Sequence, residues 1–397
     1  MRLPLLPILI IIIVNIITDY VIYKQIVKSG TYRWLKYVHL ALSSLLFLMI
    51  MLVVIIPKKA VSNAILVDIM WVIYCYFSVY IPKYIYLLFC AFANIPRLFK
   101  CKKIKVVYYS GVIVSIILFF TIWWSALVTR NSIDINQVKV SFSDLPGGFN
   151  GYKIAQISDL HVGSFGSDTT YLHKVVNAIN DLHPDLILFT GDIVNRQTSE
   201  LLPFINTLSQ LHAVDGVYSV LGNHDYGDYN KWKSELEKIE NLQLMYDLQR
   251  QMGWTLLSND YRSIYHSGDS IAVIGVENWG EPPFSRYGDL KSSYVNLNDS
   301  VFKILLSHNP SHWENEVVPF SNIHLTLSGH THAMQILFKI GNLRMSPAKM
   351  RYKYWGGLYG SDEQKLYVNI GIGEVGIPAR FGATPEVTLF TLVGCND

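Results

Sequence analysis

Aspartate, asparagine and histidine recur in five short strings of this 397-residue chain: Asp159-Leu160-His161, Gly191-Asp192-Ile193-Val194-Asn195, Gly222-Asn223-His224-Asp225, Ser307-His308 and Gly329-His330-Thr331-His332. Carboxylate, amide oxygen and imidazole with no thiolate among them suit Mn, Fe, Zn or Co better than soft copper. Taken singly, each string says little. A D-x-H pair is more often a structural hydrogen bond, and Gly-Asp is a common turn. The Asn and Gly of G-N-H-D could merely cap a helix. In G-H-T-H, two imidazoles two residues apart face the same way if the segment is extended.

Their placement is more telling than their composition. Short apolar runs over residues 153–158, 185–190, 216–221, 302–307 and 325–328 read as strands, and each leads directly into one string. Residues 138–142 and 271–276 read as further strands, and residues 144–148 as a turn. Helical periodicity covers residues 170–182, and a second helix is predicted over 203–211. Strands alternating with helices argue for a layered α/β domain. Open α/β sheets collect their ligand sites at the carboxyl ends of strands, so five strings at five strand mouths can converge on one place.

As a set in this order, D-L-H, G-D-I-V-N, G-N-H-D, S-H and G-H-T-H resemble the calcineurin-like metallophosphoesterase superfamily over roughly residues 137–392. The tail over residues 366–392, L-Y-V-N-I-G-I-G-E-V-G-I-P-A-R-F-G-A-T-P-E-V-T-L-F-T-L, is similar to the end of the bacterial YkuE/YaeI-like membrane-associated branch. The resemblance implies an α/β fold, a layered β-sandwich flanked by helices, over residues 131–397, and two adjacent divalent ions (Mn, Fe, Zn or Mg). It assigns Asp159, His161 and His332 to the first ion, Asn223, His308 and His330 to the second, and Asp192 as the bridge. His224 is implied beside the substrate phosphate as proton donor or charge stabiliser, with Asp225 orienting it. The implied nucleophile is a metal-bound hydroxide, with ions ~3.5–4 Å apart clamping the phosphoryl oxygens. Acid assistance of the kind implied for His224 contributes ~10²–10⁴-fold.

The chain departs from the family pattern at two places. Asn195 stands where many relatives have Asp, a position that supports rather than ligates. Ala333-Met334 stand before Gln335 where close relatives often have two glycines, which alters the loop beside the site. His173, His183, His212, His266, His312 and His324 match no motif position and read as ordinary surface or structural histidines.

The N-terminal residues 1–130 are a different material, dominated by Ile, Leu, Val, Phe and Tyr. Apolar stretches over 3–22, 35–56, 64–93 and 106–128 are each long enough to cross a bilayer, predicting an all-α bundle of about four transmembrane helices. The third contains Pro82 and Lys83, which predict a kink, a tilt or an early end, with the lysine stem snorkelling to a headgroup. The first lacks a small-residue cleavage site and precedes three more spans, so it reads as a retained helix and not a signal peptide. Lys24, Lys28, Arg33 and Lys36 follow the first span, and Arg97, Lys100, Lys102, Lys103 and Lys105 precede the fourth, against only Arg2, Lys58, Lys59 and Arg130 on the other side. The positive-inside rule then puts both basic loops in the cytoplasm of a cell (inner) membrane protein and the C-terminal domain outside.

Few ionisable groups fall mid-span, no acid–base pair is evident there and no repeat relates the halves, so the block reads as an anchor and not a transporter. The net charge of +3 is small and the C-terminal part shows no basic patch, which argues against a nucleic-acid partner. Cys75, Cys90, Cys101 and Cys395 form no disulfide or zinc pattern. The expectation is therefore a membrane-anchored phosphoesterase acting on a monoester or diester, with a lipid-linked phosphate suggested by the anchor. A UDP-2,3-diacylglucosamine-type pyrophosphate hydrolase is the alternative, and the charge pattern counts against it because that substrate is cytoplasmic. A non-catalytic metal-binding sensor or scaffold would lack a ligand, and none is missing.

Overall fold

The computed structural model describes residues 5–30, 33–55, 63–282, 284–341 and 343–394. Arg2, Lys58, Lys59 and Cys395 lie outside the described residues. Two compact units divide the chain, Met1–Trp124 and Ser125–Asp397.

The first unit holds four helices, α1 (Leu5–Ser29), α2 (Leu35–Ile55), α3 (Asn63–Asn94) and α4 (Lys105–Leu127). All four are long and apolar enough to cross a membrane. Helix α3 neither ends nor breaks at Pro82. Lys83 does not snorkel: its Nζ donates to Asp19 Oδ1 at 2.7 Å and to Ser43 Oγ at 3.1 Å. The Tyr80 hydroxyl donates to Asp19 Oδ2 at 2.7 Å, and His39 Nε2 lies 3.0 Å from the Asp19 carbonyl. Asn15 bonds the hydroxyls of Tyr76 and Tyr84 beside them. An acid–base pair absent from the sequence reading thus exists inside the bundle. The reason is that 64 residues separate its members, and only helix packing brings them together. A charge in hydrocarbon needs a partner, and α1 supplies one to α3.

The second unit is built on two facing six-stranded sheets. The first contains β1 (Asp134–Phe142), β2 (Lys153–Ile157), β3 (Leu186–Phe189), β4 (Val217–Ser219), β5 (Trp254–Leu256) and β14 (Glu386–Gly394). Its spatial order is β1-β14-β2-β3-β4-β5. The second contains β6 (Asp260–His266), β7 (Asp269–Gly275), β8 (Phe302–Leu306), β9 (Leu325–Ser328), β12 (Gly357–Gly360) and β13 (Lys365–Val368), in the order β12-β13-β9-β8-β7-β6. A separate antiparallel hairpin pairs β10 (Phe338–Ile340) with β11 (Leu343–Met345).

Period-two alternation splits the strand side chains between two cores. Ile154, Leu186, Leu188 and Phe390 turn inward to meet Val273, Ile304, Leu306 and Leu327 between the sheets. Ala155, Ile157, Ile187 and Phe189 turn outward under helix α5 (Thr170–Asn180) and helix α7 (Glu235–Gln251), with the short α6 (Ile205–Leu208) beside them. The outer face of the second sheet packs under Trp313 and Val317.

The predicted strands fall within a residue or two of observed ones, except that β1 begins at Asp134, four residues before the predicted start at 138. The second predicted helix is instead a 3-10 turn over Thr198–Phe204 running into α6, because Pro203 interrupts the helical ladder. Helix α7 was not read from the sequence. It mixes Leu, Gln, Glu and Asn around its circumference and buries only Asn241, Met245, Leu248 and Gln249, so no sharp apolar stripe announces it.

Strands β2, β3 and β4 are mutually parallel, as are β7, β8 and β9. Their carboxyl ends therefore open on one edge of the sandwich, immediately ahead of the Asp, Asn and His strings.

Candidate metal centre

Each string leaves its strand through an unusual backbone turn. Asp159 (φ 53°), His161 (φ 42°), Asp192 (φ 62°), His330 (φ 73°) and His332 (φ 49°) all adopt the left-handed conformation. This region is unfavourable for residues other than Gly by ~1–2 kcal/mol each. Five such residues in one place mark stored strain of the kind that clusters at functional sites. The glycines beside them are required by space. A Cβ on Gly222 would strike the Asp192 carboxylate, and one on Gly329 would strike Asp159 and Ser158.

The turns bring seven side chains to one buried spot. Asp159, His161 and His332 form one set of ligand atoms lying within 4.8 Å of one another, and Asp192, His308 and His330 form another. In the first, His332 Nε2 lies 3.2 Å from Asp159 Oδ1 and 3.1 Å from His161 Nε2. In the second, His308 Nε2 lies 3.0 Å from Asp192 Oδ2 and 3.2 Å from His330 Nδ1. Asp192 Oδ2 also stands 3.6 Å from His161 Nε2, so this one oxygen faces both sets. Asn223 is buried, and its Oδ1 has no hydrogen-bond partner among the described residues, while its Nδ2 donates to the Tyr229 hydroxyl at 2.8 Å. A buried amide oxygen left without a donor is costly unless a cation takes that place. Nitrogen and oxygen lone pairs converging in two adjacent sets, with no sulfur, fit divalent metal ions.

Electrostatics prepares the same groups. Burial works to raise the Asp159 and Asp192 carboxyls, but the imidazoles of His332 and His308 hold both well below the usual carboxylate range. Burial pushes His161 well below its ordinary value, and burial with the His308 charge takes His330 down to about 3. Burial also pulls His308 downward, but the Asp192 carboxylate outweighs it and leaves it raised to about 9. Ionised carboxylates and neutral imidazoles are the forms that bind metal, and His308 must give up its proton to join them.

The ligand rings are oriented from behind, as metal-binding imidazoles usually are. His308 Nδ1 donates to the Thr190 carbonyl at 2.7 Å, and the Tyr352 hydroxyl lies 3.0 Å from His330 Nε2. His224 is half-buried beside the sets, its ring centroid 4.8 Å from that of His161. Its backbone N–H donates to Asp192 Oδ1 at 2.8 Å.

One expectation is corrected here. Asp225 does not orient the His224 ring: His224 Nδ1 donates to the Asn195 carbonyl at 2.6 Å. The fully buried Asp225 carboxylate accepts instead from the backbone N–H groups of Asp192 (2.9 Å), Ile193 (2.8 Å), Val194 (3.2 Å) and Gly222 (2.9 Å). It is a knot tying the G-D-I-V-N loop to the G-N-H-D loop. Burial and the Asp192 charge push its carboxyl up to about 7, against the pull of those donors.

Sequence reading also passed over several residues here. Arg380 is completely buried, donates to the carbonyls of Ile370, Gly373 and Ala383, and sets Nη2 3.4 Å from His332 Nδ1. Its place in the A-R-F-G stretch of the tail was the only signal available. Tyr352 and Tyr229 carried no motif signal. Among the six histidines set aside, His312 is fully buried between Ser307 Oγ at 2.8 Å and Glu316 at 3.2 Å, so it braces the S-H string.

Both parts of the chain match families of known proteins. Residues 152–334 match the family described as Calcineurin-like phosphoesterase. Residues 1–130 match the one described as Probable Calcineurin-like phosphoesterase, transmembrane domain. The metallophosphoesterase YkuE of Bacillus subtilis is 32% identical over 272 residues, which cover 66% of this chain and 87% of that protein. A zebrafish (Danio rerio) transmembrane protein with metallophosphoesterase domain is 29% identical over 266 residues, covering 64% of this chain and 56% of its own length. A solved dimetal phosphatase, also from Danio rerio, aligns over 56% of this chain and 88% of its own at 12% identity, with a TM-score of 0.32. With four apolar helices ahead of a buried cluster of metal-ligand groups, the chain belongs to the calcineurin-like metallophosphoesterases and is a membrane-associated, metal-dependent phosphoester hydrolase.

Proposed function

We propose that residues 131–397 hydrolyse a phosphomonoester or phosphodiester borne by a membrane lipid, and that residues 1–130 hold them at the bilayer. In this reading Asp159, His161 and His332 would hold one divalent ion, Asn223, His308 and His330 would hold a second, and Asp192 would serve both. The observation that carries it is Asp192 Oδ2, set 3.6 Å from one imidazole set and 3.0 Å from the other. Bound metal would supply Lewis acidity toward the phosphoryl oxygens and an activated water.

The chain's own groups do the rest. The Asn195 carbonyl fixes the proton on His224 Nδ1 and leaves Nε2 to exchange a proton with the leaving oxygen. The His224 backbone N–H holds the outer oxygen of Asp192, leaving Oδ2 to the two imidazole sets. The knot at Asp225 keeps both loops in register. The basic loops flanking the spans favour a bacterial inner-membrane orientation with this unit extracytoplasmic.

The test is hydrolysis of p-nitrophenyl phosphate and bis-p-nitrophenyl phosphate by full-length protein in detergent. The protein is stripped of metal and then restored with Mn, Mg, Zn or Fe(II). Turnover should return with metal and vanish in Asp192→Asn, whose bound-metal content should fall in parallel. His224→Ala should keep its metal and turn over about 10²–10⁴-fold more slowly. Normal turnover in purified Asp192→Asn would remove the bridging assignment.

A further inference from the structure

The hairpin of β10 and β11 is exposed on its apolar side. Its register pairs Phe338 with Met345, Lys339 with Arg344 and Ile340 with Leu343. Alternation therefore puts Phe338, Ile340, Leu343 and Met345 on one face, and all four are exposed, Ile340 at 69%. The two cations take the other face, where Arg344 lies over the Trp355 ring and Lys339 pairs with Asp134 at 3.6 Å. Met350, just beyond, is 92% exposed. A contiguous apolar face in water marks an interaction surface.

The root of the hairpin is firmly fixed. Leu337, Ala348, Tyr352 and Trp355 are buried together at its base. The Leu337 N–H donates to the Phe381 carbonyl at 2.8 Å, and Ser346 Oγ donates to the Ala333 carbonyl at 2.6 Å. The segment begins directly after the ligand His332 and returns at Tyr352, whose hydroxyl meets the ligand His330.

Charge names the partner. Residues 333–360 contain five Lys and Arg (Lys339, Arg344, Lys349, Arg351, Lys353) and no Asp or Glu. Acids from elsewhere in the domain pair with two of these cations, Asp134 with Lys339 and Glu314 with Lys353. An apolar face flanked by cations is the pattern of a segment that dips into the headgroup region of an anionic bilayer. The same chain carries four helices long and apolar enough to cross a membrane. A nucleic acid would match the cations but not the apolar face.

We infer that this hairpin is an interfacial anchor, seating its apolar face in an anionic lipid surface and so placing the G-H-T-H turn at headgroup level. The placement gives the site access to phosphate esters in the headgroup layer, a consequence that rests on the function proposed above. Seating itself does not depend on that function.

The experiment uses full-length protein in nanodiscs, with Cys75, Cys90, Cys101 and Cys395 replaced by Ser and a nitrobenzoxadiazole label on Ile340→Cys. A label on Tyr265→Cys, 76% exposed on β6, is the control. The label at 340 should be quenched by nitroxide lipids and shielded from aqueous iodide in discs containing phosphatidylglycerol, and the control should show the reverse. Lys339→Gln with Lys349→Gln should shift the seated-to-free ratio about 25-fold toward free, at a factor of about five for each cation near the surface. Absence of lipid quenching in both anionic and neutral discs overturns the inference. Shielding from both quenchers overturns it too, since the cover would then be protein. Quenching by lipid in a protein that hydrolyses no phosphate ester would uphold the anchor and remove the proposed function. Ester hydrolysis with an unseated hairpin would do the opposite.

Discussion

Replacing Asp225 with Asn separates two accounts of this residue. Its two carboxylate oxygens serve different donors: Oδ1 takes Ile193 and Val194, Oδ2 takes Asp192 and Gly222. An amide keeps one oxygen and turns an NH₂ group toward the other pair of N–H donors. Two hydrogen bonds to a charged acceptor are then lost, at about 1.5–3 kcal/mol each, or about 3–6 kcal/mol together. Stability of a folded domain is typically about 5–15 kcal/mol, so the variant should fold, but only weakly. At about 2–4 °C per kcal/mol for a domain of this size, the unfolding midpoint should fall by about 6–24 °C. Thermal unfolding of the full-length protein in nanodiscs, followed by circular dichroism, reads this directly. Bound metal should drop alongside, because the loop carrying Asp192 loses its tie. The opposing account, in which Asp225 orients the His224 ring, calls for slow turnover with stability intact. An unfolding midpoint within about 2 °C of the unmodified protein, with full metal content, would refute the knot.

Breaking the pair inside the bundle should be costlier than removing it. Asp19→Asn or Lys83→Met alone should destabilise the first unit by about 3–5 kcal/mol, and Asp19→Leu with Lys83→Met should recover most of the loss. Tryptophan-monitored unfolding in nanodiscs gives the cycle, and strictly additive effects would mean that the two do not act as a pair. Met334, at φ 48° and 40% exposed, should welcome glycine. Relief of about 1–2 kcal/mol of backbone strain exceeds the entropy glycine loses on folding, so Met334→Gly should raise the unfolding midpoint by a few degrees, and a fall would show that its side chain packs.

The site was legible because each string stands at the end of a short apolar strand, a pattern local enough to survive in one dimension. Ala333 and Met334 adopt φ 50° and 48°, a conformation that favours the glycines the family resemblance led one to expect there. What stayed hidden depends on distant chain meeting distant chain. The Asp19–Lys83 pair, the four donors on Asp225 and the contact of Arg380 with His332 have no local signature. The hairpin was hidden differently. Three-residue strands are too short for periodicity to speak, and an apolar face reads the same in sequence whether a core covers it or nothing does.

Strand β14 has a consequence for how the enzyme is made. It lies between β1 and β2, and every residue of β1 from Asp134 to Phe142 pairs with it, from Glu386 to Gly394. Synthesis runs from the other end, so all seven candidate ligands have left the ribosome before the strand that seats β1 against β2 exists. Until then two strand edges stand open, and their closure spans a contact of some 250 residues, which is slow to form. A product ending before Glu386 would carry every motif named above and still lack the strand that joins β1 to the rest of its first sheet. The first sheet therefore closes only after a late strand is made, and the facing edges of β1 and β2 stay unpaired until then.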